Sequence, residues 1–148
     1  MTFIPRIDYA KVAPDAYAAL EQLDTYVKST SLPRNLLELV KLRASQINGC
    51  VYCIKYHSSN ARKLGESEER IWLLEVWQRV ANYTPKERVA LAWTESVTLV
   101  SETHIPDEIY EEARKYFDEK ELIDLTMAII AINGWNRLSI AMRDNPPA

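Results

Sequence analysis

The chain has little of what makes tight turns, covalent staples or metal cages. Its 148 residues include three glycines, two cysteines and two histidines. Scarce glycine, few turn-forming dipeptides and the absence of sustained period-two alternation argue against a hairpin-rich β protein and point to helices. A closed structural zinc site wants four ligands. Beyond Cys50, Cys53 and His57 the sequence offers only His104, far off in an expected surface loop. The opening residues Met1-Thr2-Phe3-Ile4-Pro5-Arg6 lack the apolar core of a signal peptide. The longest apolar stretch, from Leu122 to Met142, is interrupted by Asp124, Asn133, Asn136 and Arg137, which argues against a membrane span. A net charge of −3 gives no reason to expect nucleic-acid binding. With no long linker, low-complexity tract or internal repeat, the expectation is one domain over residues 1–148, cytoplasmic by default.

What the chain does have is helical patterning. Residues 1–12 read as irregular. A first helix is predicted from about Asp15 to Lys28, with Leu20, Leu23 and Val27 on one stripe. Pro33 opens a second, carrying Leu37, Val40, Ala44 and Ile47 and stopping at Asn48-Gly49. A third starts near Cys50 and ends before Gly65. Ser67 caps a fourth containing Ile71, Trp72, Leu74 and Val76. The capping box Thr84-Pro85-Lys86-Glu87 opens a fifth through about Ser101, and Pro106-Asp107-Glu108 a sixth. The last helix, about Asp118 to Met142, is apolar around most of its circumference, so part of its surface is expected to be covered by another subunit. Trp72, Trp77, Trp93 and Trp135 read as core or interface anchors. The acidic run Asp107, Glu108, Glu111 and Glu112 reads as a solvated face.

The chemistry gathers in Cys50-Val51-Tyr52-Cys53-Ile54-Lys55-Tyr56-His57. Offsets of three and four residues put both thiols and the imidazole on one helical face. In a reducing compartment such a pair is catalytic or metal-binding more readily than a permanent staple. Cys50, just after the Asn48-Gly49 break, sits at the positive end of the helix dipole, which favours its thiolate. His57, four residues beyond Cys53, favours the Cys53 thiolate instead. The dipole and the histidine thus name different nucleophiles. Blander readings stand beside these: zinc binding by the pair, a core or capping role for His57, a solvated Glu38. Glu38, however, lies among Leu36, Leu37, Leu39 and Val40, where the stripe does not clearly expose it.

Eleven residues separate Glu38 from Cys50, two separate the cysteines, and three separate Cys53 from His57. This Glu-x11-Cys-x2-Cys-x3-His pattern resembles the alkylhydroperoxidase D-like branch of the carboxymuconolactone decarboxylase family. So do the flanking residues Glu38 to Arg43, Ser45 to Cys50 and Ile132 to Arg137; the likeness runs from about residue 15 to 143. It implies an all-α, multi-helix AhpD-like fold that oligomerises as trimers or hexamers. It also implies a thiol peroxidase with neither metal nor other cofactor, using an external dithiol to reduce its disulfide. In that scheme Cys53 attacks the hydroperoxide, Cys50 resolves, and Glu38 and His57 relay the proton. One departure is Tyr52, which stands where well-known members carry histidine; a phenol is a poor base near neutrality. Two rivals remain at this point: a lactone decarboxylase, which would not need the cysteine pair, and a non-enzymatic redox-sensing or metal-binding module.

Overall fold

The computed structural model describes residues 4–144 and 146, and among these there is no strand. The helices are α1 (Tyr9–Val12), α2 (Pro14–Ser29), α3 (Arg34–Asn48), α4 (Val51–Lys63), α5 (Glu68–Leu73), α6 (Pro85–Thr98), α7 (Val100–Thr103), α8 (Asp107–Tyr116) and α9 (Glu119–Met142). A 3₁₀ helix, Leu74–Arg79, continues directly from α5.

α3 is the axle. It packs against α4, α6 and α9, and its residues from Leu36 to Leu42 are all buried. Leu36, Leu37 and Val40 join Val27, Trp93, Phe117, Leu122, Leu125 and Ile129 in the main apolar core. Leu39 and Leu42 join a second core with Ile71, Leu74, Trp77 and Leu91. What remains of α3 is a row of polar residues, Glu38, Lys41 and Ser45, at helical spacing and also buried. Burial of three such groups in succession is uncommon and requires partners inside the fold.

Two predicted termini match closely. α3 ends in a Schellman motif: Cys50 N–H donates to Ser45 C=O at 3.0 Å and Gly49 N–H to Gln46 C=O at 3.2 Å. Gly49 has φ 70°, a left-handed conformation that glycine adopts without steric cost. α9 begins with a reciprocal capping box between Asp118 and Glu121.

Elsewhere the structure departs from expectation. Residues expected to be irregular include α1, one turn capped by the Asp8 side chain. The fourth predicted helix breaks after Leu73 because Trp77 turns inward and donates its indole N–H to Glu95 at 2.8 Å. Arg88 then caps the loose end, donating to the carbonyls of Trp77 and Val80 at 2.9 Å. The fifth stops at Thr98 rather than near Ser101; Thr103 folds back to donate its hydroxyl to Ser96 C=O at 2.7 Å. Trp72 lies on the surface, 72% exposed, so it anchors no core within the chain. α9 buries one side only and leaves Ile123, Ile130 and Ile140 exposed. Its Gly134 admits α2 closely: a Cβ there would stand 3.2 Å from Leu20 Cδ1.

Candidate functional site

The four residues singled out from the sequence come from two adjoining helices. Glu38 projects from α3; Cys53 and His57 lie on α4, with Cys50 as its N-cap. The Schellman turn reverses the chain over a single glycine, which brings the start of α4 back against α3. Glu38 is buried and its Oε2 lies 2.7 Å from His57 Nδ1. An ionised carboxylate only accepts, which assigns a proton to Nδ1 and leaves Nε2 as the basic nitrogen of the neutral ring. Both the solvated reading of Glu38 and the simple capping reading of His57 give way to this pair.

Cys50 and Cys53 form a disulfide with Cα atoms 5.3 Å apart. Each sulfur sits in a different setting. Cys50, 1% exposed, caps α4: its Sγ accepts the Cys53 backbone N–H at 3.3 Å. Cys53, 4% exposed, borders a cavity of about 260 Å³ that His57 also lines, whereas Cys50 and Glu38 do not. Cys53 therefore borders a space for a ligand, and the Cys50 sulfur faces a helix N-terminus whose N–H groups stabilise negative charge.

Sequence reasoning missed most of the cavity wall. Tyr9, Tyr17, Tyr52, Tyr56 and Trp135 supply five aromatic rings. Tyr52 stacks on Tyr56 with ring centres 6.4 Å apart. Tyr17 meets Trp135 edge-on at 5.4 Å. Tyr9 donates its hydroxyl to Asp144 at 2.6 Å, across 135 residues of sequence. Burial and that carboxylate hold the Tyr9 phenol well above its ordinary pKa. Nothing local in the sequence marks Tyr9, because its partner lies at the far end of the chain.

A second missed feature is the lysine in the polar row of α3. Lys41 is 2% exposed, and its ammonium reaches Asp24 Oδ1 at 3.1 Å; Lys28 holds Oδ2 of the same carboxylate at 3.1 Å. Burial alone would raise the Asp24 pKa, but the two ammonium groups hold it below the usual carboxylate range. Behind the cysteines, Asn48 Nδ2 donates to Asn133 Oδ1 and Asn136 Oδ1, both at 3.0 Å, and Asn136 Nδ2 donates to Ser45 Oγ at 3.0 Å. The spacing of Glu38, Lys41, Ser45 and Asn48 was the available signal: all four fall on one stripe of α3.

Among the described residues, no three His, Cys, Asp or Glu side chains gather as a metal-binding group. Nor is any helix there long and apolar enough to cross a membrane.

Comparison with known proteins extends this picture. The sequence profile of the Carboxymuconolactone decarboxylase family matches residues 14–96. The uncharacterized protein YdfG of Bacillus subtilis (strain 168) is 42% identical over 137 residues, 93% of each chain. An Agrobacterium tumefaciens protein of unknown function, suggested to be the antioxidant defence protein AhpD, has a crystal structure that superposes with a TM-score of 0.96. It shares 41% identity, over 98% of this chain and 99% of that one. The debrominase Bmp8 shares the fold at 24% identity and a TM-score of 0.82, over 91% of this chain and 73% of its own. Sequence and structure together place this all-α chain in the carboxymuconolactone decarboxylase family, in its AhpD-like branch.

Proposed function

We propose that the protein is a thiol-dependent peroxidase that reduces hydroperoxides through a dithiol/disulfide cycle at Cys50 and Cys53. The observation that carries this reading is the asymmetry of the pair: Cys53 and His57 border the cavity, and Cys50 is shut behind it as the helix cap.

In the reduced enzyme, His57 Nε2 takes the Cys53 proton while Glu38 stabilises the resulting imidazolium through Nδ1. The Cys53 thiolate attacks the terminal oxygen of the hydroperoxide. The O–O bond breaks, Cys53 becomes a sulfenic acid, and the alkoxide leaves as an alcohol with the proton from His57. Cys50 then attacks the Cys53 sulfur, forming the disulfide and releasing water. An external dithiol restores the pair by exchange, and its own two sulfurs are oxidised to a disulfide. Attack by the reductant falls on Cys53, the sulfur at the cavity, and Cys50 leaves. The Cys53 N–H and the start of α4 stabilise the departing Cys50 thiolate, and a more acidic leaving thiol departs faster. The conflict between dipole and histidine is thereby resolved by role: the histidine serves the attacking sulfur and the dipole serves the resolving and leaving sulfur.

Turnover of tert-butyl hydroperoxide with excess dithiothreitol tests the assignment. Cys53→Ser abolishes it, whereas Cys50→Ser, assayed with peroxide before any thiol reductant is added, consumes one equivalent per site and stalls at the sulfenic acid. Wild-type turnover by both variants overturns the roles. Lactone decarboxylation that survives complete thiol alkylation supports instead a lactone decarboxylase-type reaction. We further propose that the chain is one domain, cytoplasmic, and a homo-oligomer, a trimer or hexamer, with exposed Ile123 and Ile130 of α9 in the contact. Light scattering at micromolar concentration checks the last point, and a monomer contradicts it.

A further inference from the structure

The reading above leaves open which hydroperoxide the cavity takes. Its volume, wall and charge each narrow the answer. An engineered apolar cavity of about 150 Å³ takes up benzene. At about 260 Å³ this cavity has room for an aromatic ring and a short branched substituent. That is far more space than hydrogen peroxide needs.

The wall is arranged for a ring. Tyr9, Tyr17 and Trp135 form a chain of contacts, with ring centres 6.0 and 5.4 Å apart. Tyr52 and Tyr56 stack near-parallel, 14° between planes. His57 meets Tyr56 edge-on at 5.1 Å, so the proton carrier is continuous with the aromatic wall. These rings pair with one another both stacked and edge-on, the two ways one aromatic ring receives another.

The charges disfavour an anion. Lys28 and Lys41 are both committed to Asp24, and Glu21 and Asp144 add two further carboxylates at the cavity. A fatty-acid hydroperoxide would bring its own carboxylate to a wall whose one lysine, Lys28, is already paired.

Tyr9 owes its place to a clasp between the chain's ends. Arg6 N–H donates to Met142 C=O at 2.9 Å, and the Arg6 guanidinium to Ala141 C=O at 3.0 Å. With the Tyr9–Asp144 bond these contacts carry α1 across the C-terminal end of α9 and set the Tyr9 ring at the cavity.

From these observations, and resting on the peroxidase reading, we propose that the cavity is a binding site for an uncharged aromatic ring with a short branch. The preferred substrate class is then the arylalkyl hydroperoxides, and Tyr9 is a specificity-determining residue. Cumene hydroperoxide and tert-butyl hydroperoxide are both tertiary and differ in the ring, so the ratio of their rates isolates ring recognition. The expected ratio of second-order rate constants for Cys53 oxidation is about tenfold in favour of cumene hydroperoxide, the scale of one well-placed aromatic contact plus the area it buries. Tyr9→Ala brings the ratio toward one, whereas Tyr9→Phe, which keeps the ring and the Arg6 contacts but not the bond to Asp144, retains most of it. Linoleic acid hydroperoxide reacts more slowly than cumene hydroperoxide.

Binding of cumyl alcohol to the oxidised protein, followed by chemical-shift changes in NMR and compared with tert-butanol, gives a readout independent of turnover. Preferential cumyl alcohol binding that Tyr9→Ala weakens supports the ring site, even if every hydroperoxide leaves the thiols intact; that second result would overturn the peroxidase reading alone. Equal rates for the two tertiary hydroperoxides, with no preference for cumyl alcohol, overturn the ring site and leave the peroxidase standing.

Discussion

The main core and the cysteine end of this molecule are built on opposite principles. In the main core, Val27, Leu36, Leu37, Val40, Phe117, Leu125 and Ile129 pack apolar against apolar, with contributions from α2, α3, α6, α8 and α9. At the cysteine end only Ala44, Cys50, Cys53 and Ile132 form an apolar cluster. It is surrounded by buried Glu38, Lys41, Ser45, His57 and Asn136, each hydrogen-bonded or ion-paired. Apolar packing is forgiving of direction and supplies stability. Buried polar groups are costly when unpaired and strict about geometry, so they fix where a sulfur, an imidazole and a carboxylate sit. The helix common to both regions is α3, whose apolar faces serve one task and whose polar stripe serves the other.

Substitutions that affect one region and spare the other break this comparison most sharply. Phe117→Ala, in the apolar core, is expected to cost about 3–5 kcal/mol by denaturant unfolding. The peroxide reactivity of the protein that remains folded changes little. Glu38→Gln should do the reverse. Peroxidase kcat/KM falls about a hundredfold, the lower range for loss of assisted proton transfer, while the amide keeps an oxygen for His57 Nδ1–H. Equal loss of stability in the two variants would erase the distinction.

Asn136→Ala probes the polar frame itself. It removes one of the partners of Ser45 Oγ and of Asn48 Nδ2, with an expected cost of about 1–3 kcal/mol in unfolding experiments. Because Asn48 precedes the turn into Cys50, resolution should slow as well. More sulfenic acid then becomes trappable by dimedone than in wild type, an effect absent from Phe117→Ala.

The smallest expected effect is on the pH dependence of stability. The Asp24 pKa is lower in the folded protein than in the unfolded chain, because Lys41 and Lys28 outweigh the effect of burial. Its contribution is full above the unfolded carboxylate value of about 4 and is lost as pH falls through the lower folded value. Asp24→Asn should therefore flatten the decline in Tm below about pH 4, while lowering Tm throughout because it leaves the buried Lys41 ammonium without its carboxylate. An unaltered acid limb would remove Asp24 from that role.

Local chemistry was readable from the sequence wherever the cause was local. The Asn48-Gly49 stop, the Cys50–Cys53 spacing and the capping box at Thr84 depend on neighbours within one or two helical turns. Features decided by distant partners were not readable. Tyr9 meets Asp144, Lys41 is buried only because Asp24 lies across from it, and Trp77 bends its helix to reach Glu95. Glu38 stood between these cases: its burial was suspected from the leucines around it, and its pairing with His57 followed from the family pattern rather than from helical spacing.

The central claim is that Cys53 and Cys50 are a peroxide-driven dithiol. Its most direct test is intact mass with a free-thiol count on reduced, metal-free protein, before and after one equivalent of tert-butyl hydroperoxide. The account predicts loss of two hydrogens and both thiols within seconds, giving the intramolecular disulfide seen in the structure. Thiols that persist unchanged for many minutes would contradict it.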